Sequence, residues 1–243
     1  MTLEAHAHPG ADSDSRVHLD ANSLTLRQVN VGIRAALADG REVLVSNTGA
    51  RHNLGVALIQ PGRVTFDGSV GYYCGGMNDG ATIRITGSAG WGVAEGMLSG
   101  TVVVEGNAGN GAAAAIRGGT VVVKGDCASR AGVSMKGGLL LIAGDAGYMT
   151  GFMMQKGIVA ILGNAGEALA DSMYAGVILI AGEIASLGND AVIEEPLAEE
   201  QALVAETCRA NGITPPGSLR RIVAGRKLWN FHHSEIETWR EAM

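Results

Sequence analysis

The chain has 243 residues, enough for one large domain or two small ones. Its 37 glycines are about twice the usual share and only 4% of residues are aromatic, a profile that suits frequent sharp turns around a narrow aliphatic interior. The net charge of −6 argues against a nucleic-acid partner, and three widely spaced cysteines, Cys74, Cys127 and Cys208, in no metal-ligand pattern read as reduced cytoplasmic thiols.

Residues 1–18 are rich in Ala, Asp, Ser and His and contain neither a signal-peptide core nor a bilayer-spanning stretch. The expectation is a disordered tail on a soluble, cytoplasmic protein without membrane contact. Residues 19–48 predict a helix from Leu24 to Ala38, capped by Ser23 and ended by Asp39-Gly40, followed by a first strand.

Residues 49–190 carry the dominant pattern. Gly49, Gly68, Gly87, Gly106, Gly125, Gly144, Gly163 and Gly182 each stand nineteen residues after the last. A fixed period of this length means one supersecondary unit repeated and stacked. Fifteen residues after each marker the chain reads Val64, Ile83, Val102, Val121, Leu140, Val159 and Ile178. Seventeen after, it reads Phe66, Ile85, Val104, Val123, Ile142, Ile161 and Ile180. Two apolar columns two residues apart predict the inward face of a strand, with a variable outward residue between them. One after the marker, Ser69, Ser88, Asn107, Asp126, Asp145 and Asn164 are placed to bond backbone groups at a corner. Ten after it come Ile59, Asn78, Met97, Ile116, Met135, Met154 and Met173, an apolar core column that Asn78 interrupts. Thirteen after it glycine recurs from Gly62 to Gly176, broken only by Ala81, as corners with positive φ or close backbone contact require.

Short strands separated by glycine corners predict an all-β fold, a right-handed single-stranded parallel β-helix of about seven turns and roughly 35 Å. Residues 191–243 predict a flanking helix from Pro196 to Ala210, stopped by Asn211-Gly212 and Pro215-Pro216, then a basic and aromatic tail packed on the rod or on a neighbour. Flanking helices at both ends would keep strand edges from aggregating.

Catalytic patterns are sparse. Gly106-Asn107-Ala108-Gly109-Asn110-Gly111 comes nearest to a dinucleotide fingerprint, yet its glycines belong to the repeat and no βαβ pattern follows. Neither paired carboxylates nor a nucleophile elbow can be read from spacing. The column four after the marker instead gathers Tyr72, Trp91 and Tyr148, with Tyr73, Met77, Met149, Phe152 and Met153 close by. An apolar edge built from these would mark a protein interface; the alternative is that they fold over the rod's own surface.

The repeat, with its Gly-Asn-Ala-Gly steps and Met-x-Gly-Gly corners, resembles the family named for its Gly-x-Gly-x-Gly motif. That family includes the carboxy-terminal β-helix of glutamate synthase large subunits and the corresponding subunit of formylmethanofuran dehydrogenase. The flanking motifs separate these: Arg51-His52-Asn53-Leu54-Gly55-Val56, Gly71-Tyr72-Tyr73-Cys74-Gly75-Gly76-Met77-Asn78, Gly166-Glu167-Ala168-Leu169-Ala170-Asp171-Ser172, Ser186-Leu187-Gly188 and Arg226-Lys227-Leu228-Trp229-Asn230-Phe231. Together, over about residues 22–231, they resemble the stand-alone glutamate-synthase-like β-helix subunit of N-methylglutamate synthases. The longer polar amino terminus and the tail after Phe231 depart from the usual pattern.

The resemblance implies a three-part enzyme making N-methyl-L-glutamate and ammonia from methylamine and L-glutamate. Its partners would be a class II glutamine amidotransferase-like subunit and a flavin-dependent synthase subunit holding FMN and an iron–sulfur cluster. This chain would hold no catalytic, cofactor or metal residue and would brace the other two. Contacts with them are expected at Arg51, His52, Tyr72, Tyr73, Met77, Asn78, Trp91, Tyr148, Phe152, Met153, Arg226 and Lys227. The alternative is the matching subunit of a formylmethanofuran dehydrogenase or of a formyltransferase/hydrolase complex.

Overall fold

The computed structural model describes residues 16–225. Strand β1 (Arg16–Asp20) leads into helix α1 (Leu26–Ala38), which returns to β2 (Glu42–Ser46), parallel to β1. The next seven turns contribute β3 (Gly62–Phe66), β4 (Asp79–Ile85), β5 (Ser99–Val104), β6 (Thr120–Val123), β7 (Lys136–Ile142), β8 (Lys156–Ile161) and β9 (Val177–Ile180). All pair in parallel in chain order, and from β3 onward residues face those nineteen further on, as Val64 faces Ile83 and Val159 faces Ile178, except where the register shifts at Asp79–Ser99 and Lys136–Lys156. The fold is therefore the expected parallel β-helix with flanking helices. A parallel bridge column from Val70 through Ala89, Ala108, Cys127, Ala146 and Ala165 to Ile184 forms a second wall.

Both inward columns are buried along their whole length, and Met97, Ile116, Met135, Met154 and Met173 fill the space between walls. The corner column bonds as its chemistry predicts. Ser69 Oγ accepts the N–H of Ser88, Ser88 Oγ that of Asn107, Asn107 Oδ1 that of Asp126, and so on to Asn164 Oδ1 and Glu183, at 2.7–3.1 Å. This ladder also explains the marker glycines. A Cβ on Gly87 would lie 2.5 Å from Ser69 Oγ, and one on Gly125 would run into Asn107 Oδ1. The marker is glycine because the rung below lays its short polar side chain across that backbone.

The two ends close differently. Helix α1 begins at Thr25, two residues later than Ser23, because Thr25 and Gln28 form a reciprocal capping box. It buries Val29, Ile33, Ala36 and Leu37 in the main core and packs against the first three strands. Asn30 fastens it to the first turn, donating to the Asn53 carbonyl and accepting from the Gly55 N–H, both at 2.8 Å. Strand β1 occupies residues 16–18 of the stretch expected to be disordered, since pairing with β2 satisfies its backbone.

At the other end β10 (Ala191–Glu194) is followed by α2 (Ala198–Ala210) and β11 (Arg220–Ala224). Strand β11 joins the sheet antiparallel to β9, and β10 pairs antiparallel to β11 at the edge. Helix α2 lies on the outside of the sheet. Its Val204 and Cys208 cover Val122, Leu141, Ala160 and Leu179, the outward residues of β6–β9. Arg221 on β11 anchors the helix start through Nε, 3.0 Å from both carboxylate oxygens of the buried Glu200. Among the described residues no helix is long and apolar enough to cross a membrane.

Candidate functional site

The third side of each turn is neither strand nor ordinary loop. Tyr73, Gly75 and Met77 all have positive φ, as do Gly92, Ala94 and Gly96 one turn later, and Met149, Gly151 and Met153 further along. A left-handed conformation costs a non-glycine residue on the order of 1 kcal/mol. Bonds between turns hold it: the N–H of Tyr73 donates to Trp91 O at 2.7 Å, that of Met77 to Glu95 O at 2.8 Å and that of Arg130 to Tyr148 O at 2.8 Å. The side chains on this face are therefore fixed in direction, the kind of stored strain that gathers at functional surfaces.

On it stands a stacked ladder of His52, Tyr72 and Trp91. The His52 and Tyr72 ring centroids lie 4.4 Å apart and those of Tyr72 and Trp91 5.2 Å apart, with interplanar angles of 23° and 14°. His52 Nδ1 accepts the Tyr72 N–H at 2.8 Å, which leaves the proton of a neutral ring on Nε2. Each ring lies over a glycine of the next turn; a Cβ on Gly90 would stand 2.7 Å from Tyr72 Cδ1, and one on Gly109 2.6 Å from Trp91 Cδ1.

The rung below Tyr72 is His52, not Asn53 as nineteen-residue spacing implies. The first turn is one residue short after Arg51 and regains it before Gly62. Thus the Asn53 N–H bonds Tyr72 O where the Tyr73 N–H bonds Trp91 O, and Asp79 bonds Leu58 O where Leu98 bonds Asn78 O. Leu58 accordingly fills the interior position assigned to Ile59, which is 67% exposed.

The remaining expected contacts divide. Tyr72 (46% exposed), Trp91 (55%), Met77 and Tyr148 present large apolar surface, and Tyr73, Phe152 and Met153 are half-buried on the same face. Tyr148 stands three turns beyond Trp91, separated from the ladder by the short rungs Asn110 and Ser129, which bond each other at 3.1 Å. Two of the expected contact residues are engaged within the chain itself. Asn78 is fully buried, its Nδ2 donating to Ala81 O at 2.8 Å and Ser99 O at 3.2 Å where β4 and β5 shift register, so it clasps a corner from inside. Arg51 directs Nη1 to the carbonyls of Ala21 and Leu24, tying the β1–α1 connection to the first turn. Arg226 and Lys227 lie outside the described residues.

Sequence reasoning missed the charges on this face. Exposed Leu98 and Arg117 and half-buried Lys136 form one column, with exposed Arg130 and half-buried Glu95 beside it. The nineteen-residue recurrence of Leu98, Arg117 and Lys136 was the available signal for that column. Two shallow grooves of about 420 and 430 Å³ meet at Tyr73 and Glu95. Burial, and secondarily the Glu95 carboxylate, push the Tyr73 phenol up, so it is a neutral hydrogen-bonding group. Elsewhere burial also raises the Cys74 and Cys127 thiols, consistent with small core residues rather than nucleophiles. Among the described residues no group of three His, Cys, Asp or Glu is placed to hold a metal ion.

No family model matches the chain. A segment of 56 residues, 23% of the chain, is 54% identical to Protein GlxC of Rhizobium meliloti (strain 1021), so the match spans only a quarter (25%) of that relative. In structure the chain is similar to a chain of the formyltransferase/hydrolase complex (FhcABCD) from Methylorubrum extorquens, solved by X-ray crystallography in complex with methylofuran. That likeness has a TM-score of 0.61 and 26% identity, covering 75% of this chain and 72% of the other.

Proposed function

We propose that this chain is a non-catalytic β-helix scaffold subunit of a heteromeric, glutamate-synthase-like enzyme, N-methylglutamate synthase. It braces a class II amidotransferase-like subunit and a flavin synthase subunit that holds the FMN and iron–sulfur cluster, in the cytoplasm. The observation that carries the scaffold role is the exposed, conformationally fixed face around His52, Tyr72 and Trp91 on a rod whose first turns are covered by α1 and whose outer sheet face is covered by α2. Similarity to a chain of a solved multi-subunit enzyme supports assembly into a complex. The choice of reaction rests on the flanking motifs around Arg51–Val56, Gly71–Asn78 and Gly166–Ser172.

The test is co-expression with the two partner subunits, followed by an assay of N-methylglutamate formation from methylamine and glutamate. The complex is expected to form and turn over only when this chain is present. Alanine or charge substitutions at Tyr72 and Phe152 are expected to release it while the isolated rod stays folded. Full activity of the partners without this chain would sink the reading.

The likeness to the formyltransferase/hydrolase chain favours a second reading, a scaffold in a formyl-transferring complex. Co-purification with formyltransferase subunits, and not with the amidotransferase-like and flavin subunits, would decide for it.

A further inference from the structure

The aromatic ladder stops at Trp91, and the structure shows what ends it. His52, Tyr72 and Trp91 lie over Gly71, Gly90 and Gly109 respectively. At the next turn the matching position is Ala128, whose N–H bonds Ala108 O as Gly109 bonds Ala89 O. The Ala128 methyl leaves no room for a ring of this chain to lie flat on the backbone at that level, so no ring follows Trp91, which stays 55% exposed. The rung itself is Asn110, whose Oδ1 accepts the Ser129 N–H and is thereby held on the backbone. Beyond the Trp91 indole is a shallow groove of about 420 Å³ lined by Asn110, Gly111, Ala114, Arg130 and Val133.

The charge on this face opposes that of the molecule. The chain as a whole carries −6, but Arg117, Arg130 and Lys136 surround the two joined grooves against the single carboxylate of Glu95. None of the three cations forms an ion pair with a described residue, whereas Arg84, Lys124 and Arg221 elsewhere on the rod are paired. The groove is open and shallow, unlike the enclosed clefts that bury most of a small ligand. It fits a side chain carried on another protein, with the aromatic ring as anchor and cations at the rim.

We propose that the exposed indole of Trp91, standing above the short Asn110 rung, receives a planar aromatic side chain from a partner subunit, carried on an acidic segment whose carboxylates meet Arg117, Arg130 and Lys136. The inserted ring continues the stack, with a centroid about 4.5–7 Å from the indole. The carboxylates steer the approach and fix the register of the two subunits. This rests on the scaffold reading above and names the chemistry of what docks there.

The probe is the pair of partner subunits named above, co-expressed with this chain. Three variants are compared with the unsubstituted chain: Trp91→Ala, Trp91→Phe and the triple reversal Arg117→Glu/Arg130→Glu/Lys136→Glu. A reversal of Arg63, an exposed cation on the sheet face, serves as control. Trp91→Ala and the triple reversal are expected to weaken association at least about tenfold, as loss of a central anchor does, with Trp91→Phe retaining most of it. Association of the unsubstituted chain is expected to weaken with added salt, and that of the triple reversal to lose this dependence. Thermal unfolding of each isolated variant verifies that the rod is intact. Unchanged recovery of the partners by both Trp91→Ala and the triple reversal overturns the docking proposal and leaves the scaffold reading standing. If the unsubstituted chain recovers neither partner, both fall.

Discussion

Two apolar columns reach the outside of this rod, and the chain treats them differently. Over β6–β9 the outward residues Val122, Leu141, Ala160 and Leu179 are fully buried because α2 lies across them with Val204 and Cys208. On the turn face Tyr72, Trp91, Met77 and Leu98 are about half exposed and nothing among the described residues covers them. The first column is apolar only where the helix reaches; in β3 and β4 the same positions are Thr65 and exposed Arg84. Apolar residues thus track their cover along the sheet. On the turn face the apolar residues stand without cover, which is why that face reads as an interface.

The largest expected effect breaks the covered region. Leu141→Ala should cost about 2–5 kcal/mol in denaturant unfolding, because it opens a cavity between sheet and helix. Leu98→Ala, on the open face, should stay within about 0.5 kcal/mol. The cysteines sharpen the contrast. Cys208 lies on the sheet-facing side of α2, and its thiol is pushed up by burial although Arg209 opposes the shift. In Leu141→Ala, labelling of Cys208 by a thiol reagent should accelerate well before that of Cys127, which sits in the second wall. Equal acceleration at both would mean that α2 opens only with the whole rod.

Asn78→Leu is expected to act next in size. It restores an apolar group to the interior column but leaves the Ala81 and Ser99 carbonyls without their Nδ2 donor, a loss of about 1–3 kcal/mol for buried groups. A stability gain would instead identify the amide as a defect, since its Oδ1 has no partner. Smaller again is Tyr72→Ala, which removes the middle of the ladder. The two stacks it breaks are worth about 0.5–1.5 kcal/mol each beyond area burial, and because Tyr72 is half exposed the low end is expected in urea unfolding.

Much of the architecture was legible because it is written as columns. Strand faces, the methionine interior and the polar corners all follow from side-chain periodicity along a constant period. What spacing cannot register is a shift that compensates itself. One residue missing after Arg51 and one regained near Ile59 leave the distance between Gly49 and Gly68 at nineteen, yet they move His52 into the ladder and Ile59 out of the core. The Thr25 capping box was present in the sequence as Thr-x-x-Gln and outweighs Ser23 because both its bonds form. For the candidate face, the aromatics were visible as hydrophobes in one column, whereas the end of the ladder at Trp91 depends on Ala128 standing where neighbouring turns have glycine.

The smallest prediction tests how the amino-terminal strand is held, by contrast with the helix-covered sheet face of β6–β9. Asp20 closes β1, and its Oδ1 accepts the Asn47 side-chain N–H at 2.9 Å and the Asn22 backbone N–H at 3.0 Å. These bonds, the Asn47 one first, hold its carboxyl below the usual carboxylate value of 3.8, with a minor contribution from His18. A carboxylate with a lowered folded-state pKa stabilises the fold above its unfolded value, and that contribution disappears as the pH falls through the lowered one. Asp20 lies at the surface, in contact with solvent, so the effect is confined to the local turn and should fade with added salt. Asp20→Asn should therefore change unfolding little below the lowered folded-state pKa and lower the stability of the β1 segment slightly at neutral pH. Hydrogen exchange at Leu19 and Asp20 reads this directly; identical protection in both proteins from pH 3 to 7 would show that strand pairing with β2 holds β1 without help from the carboxylate.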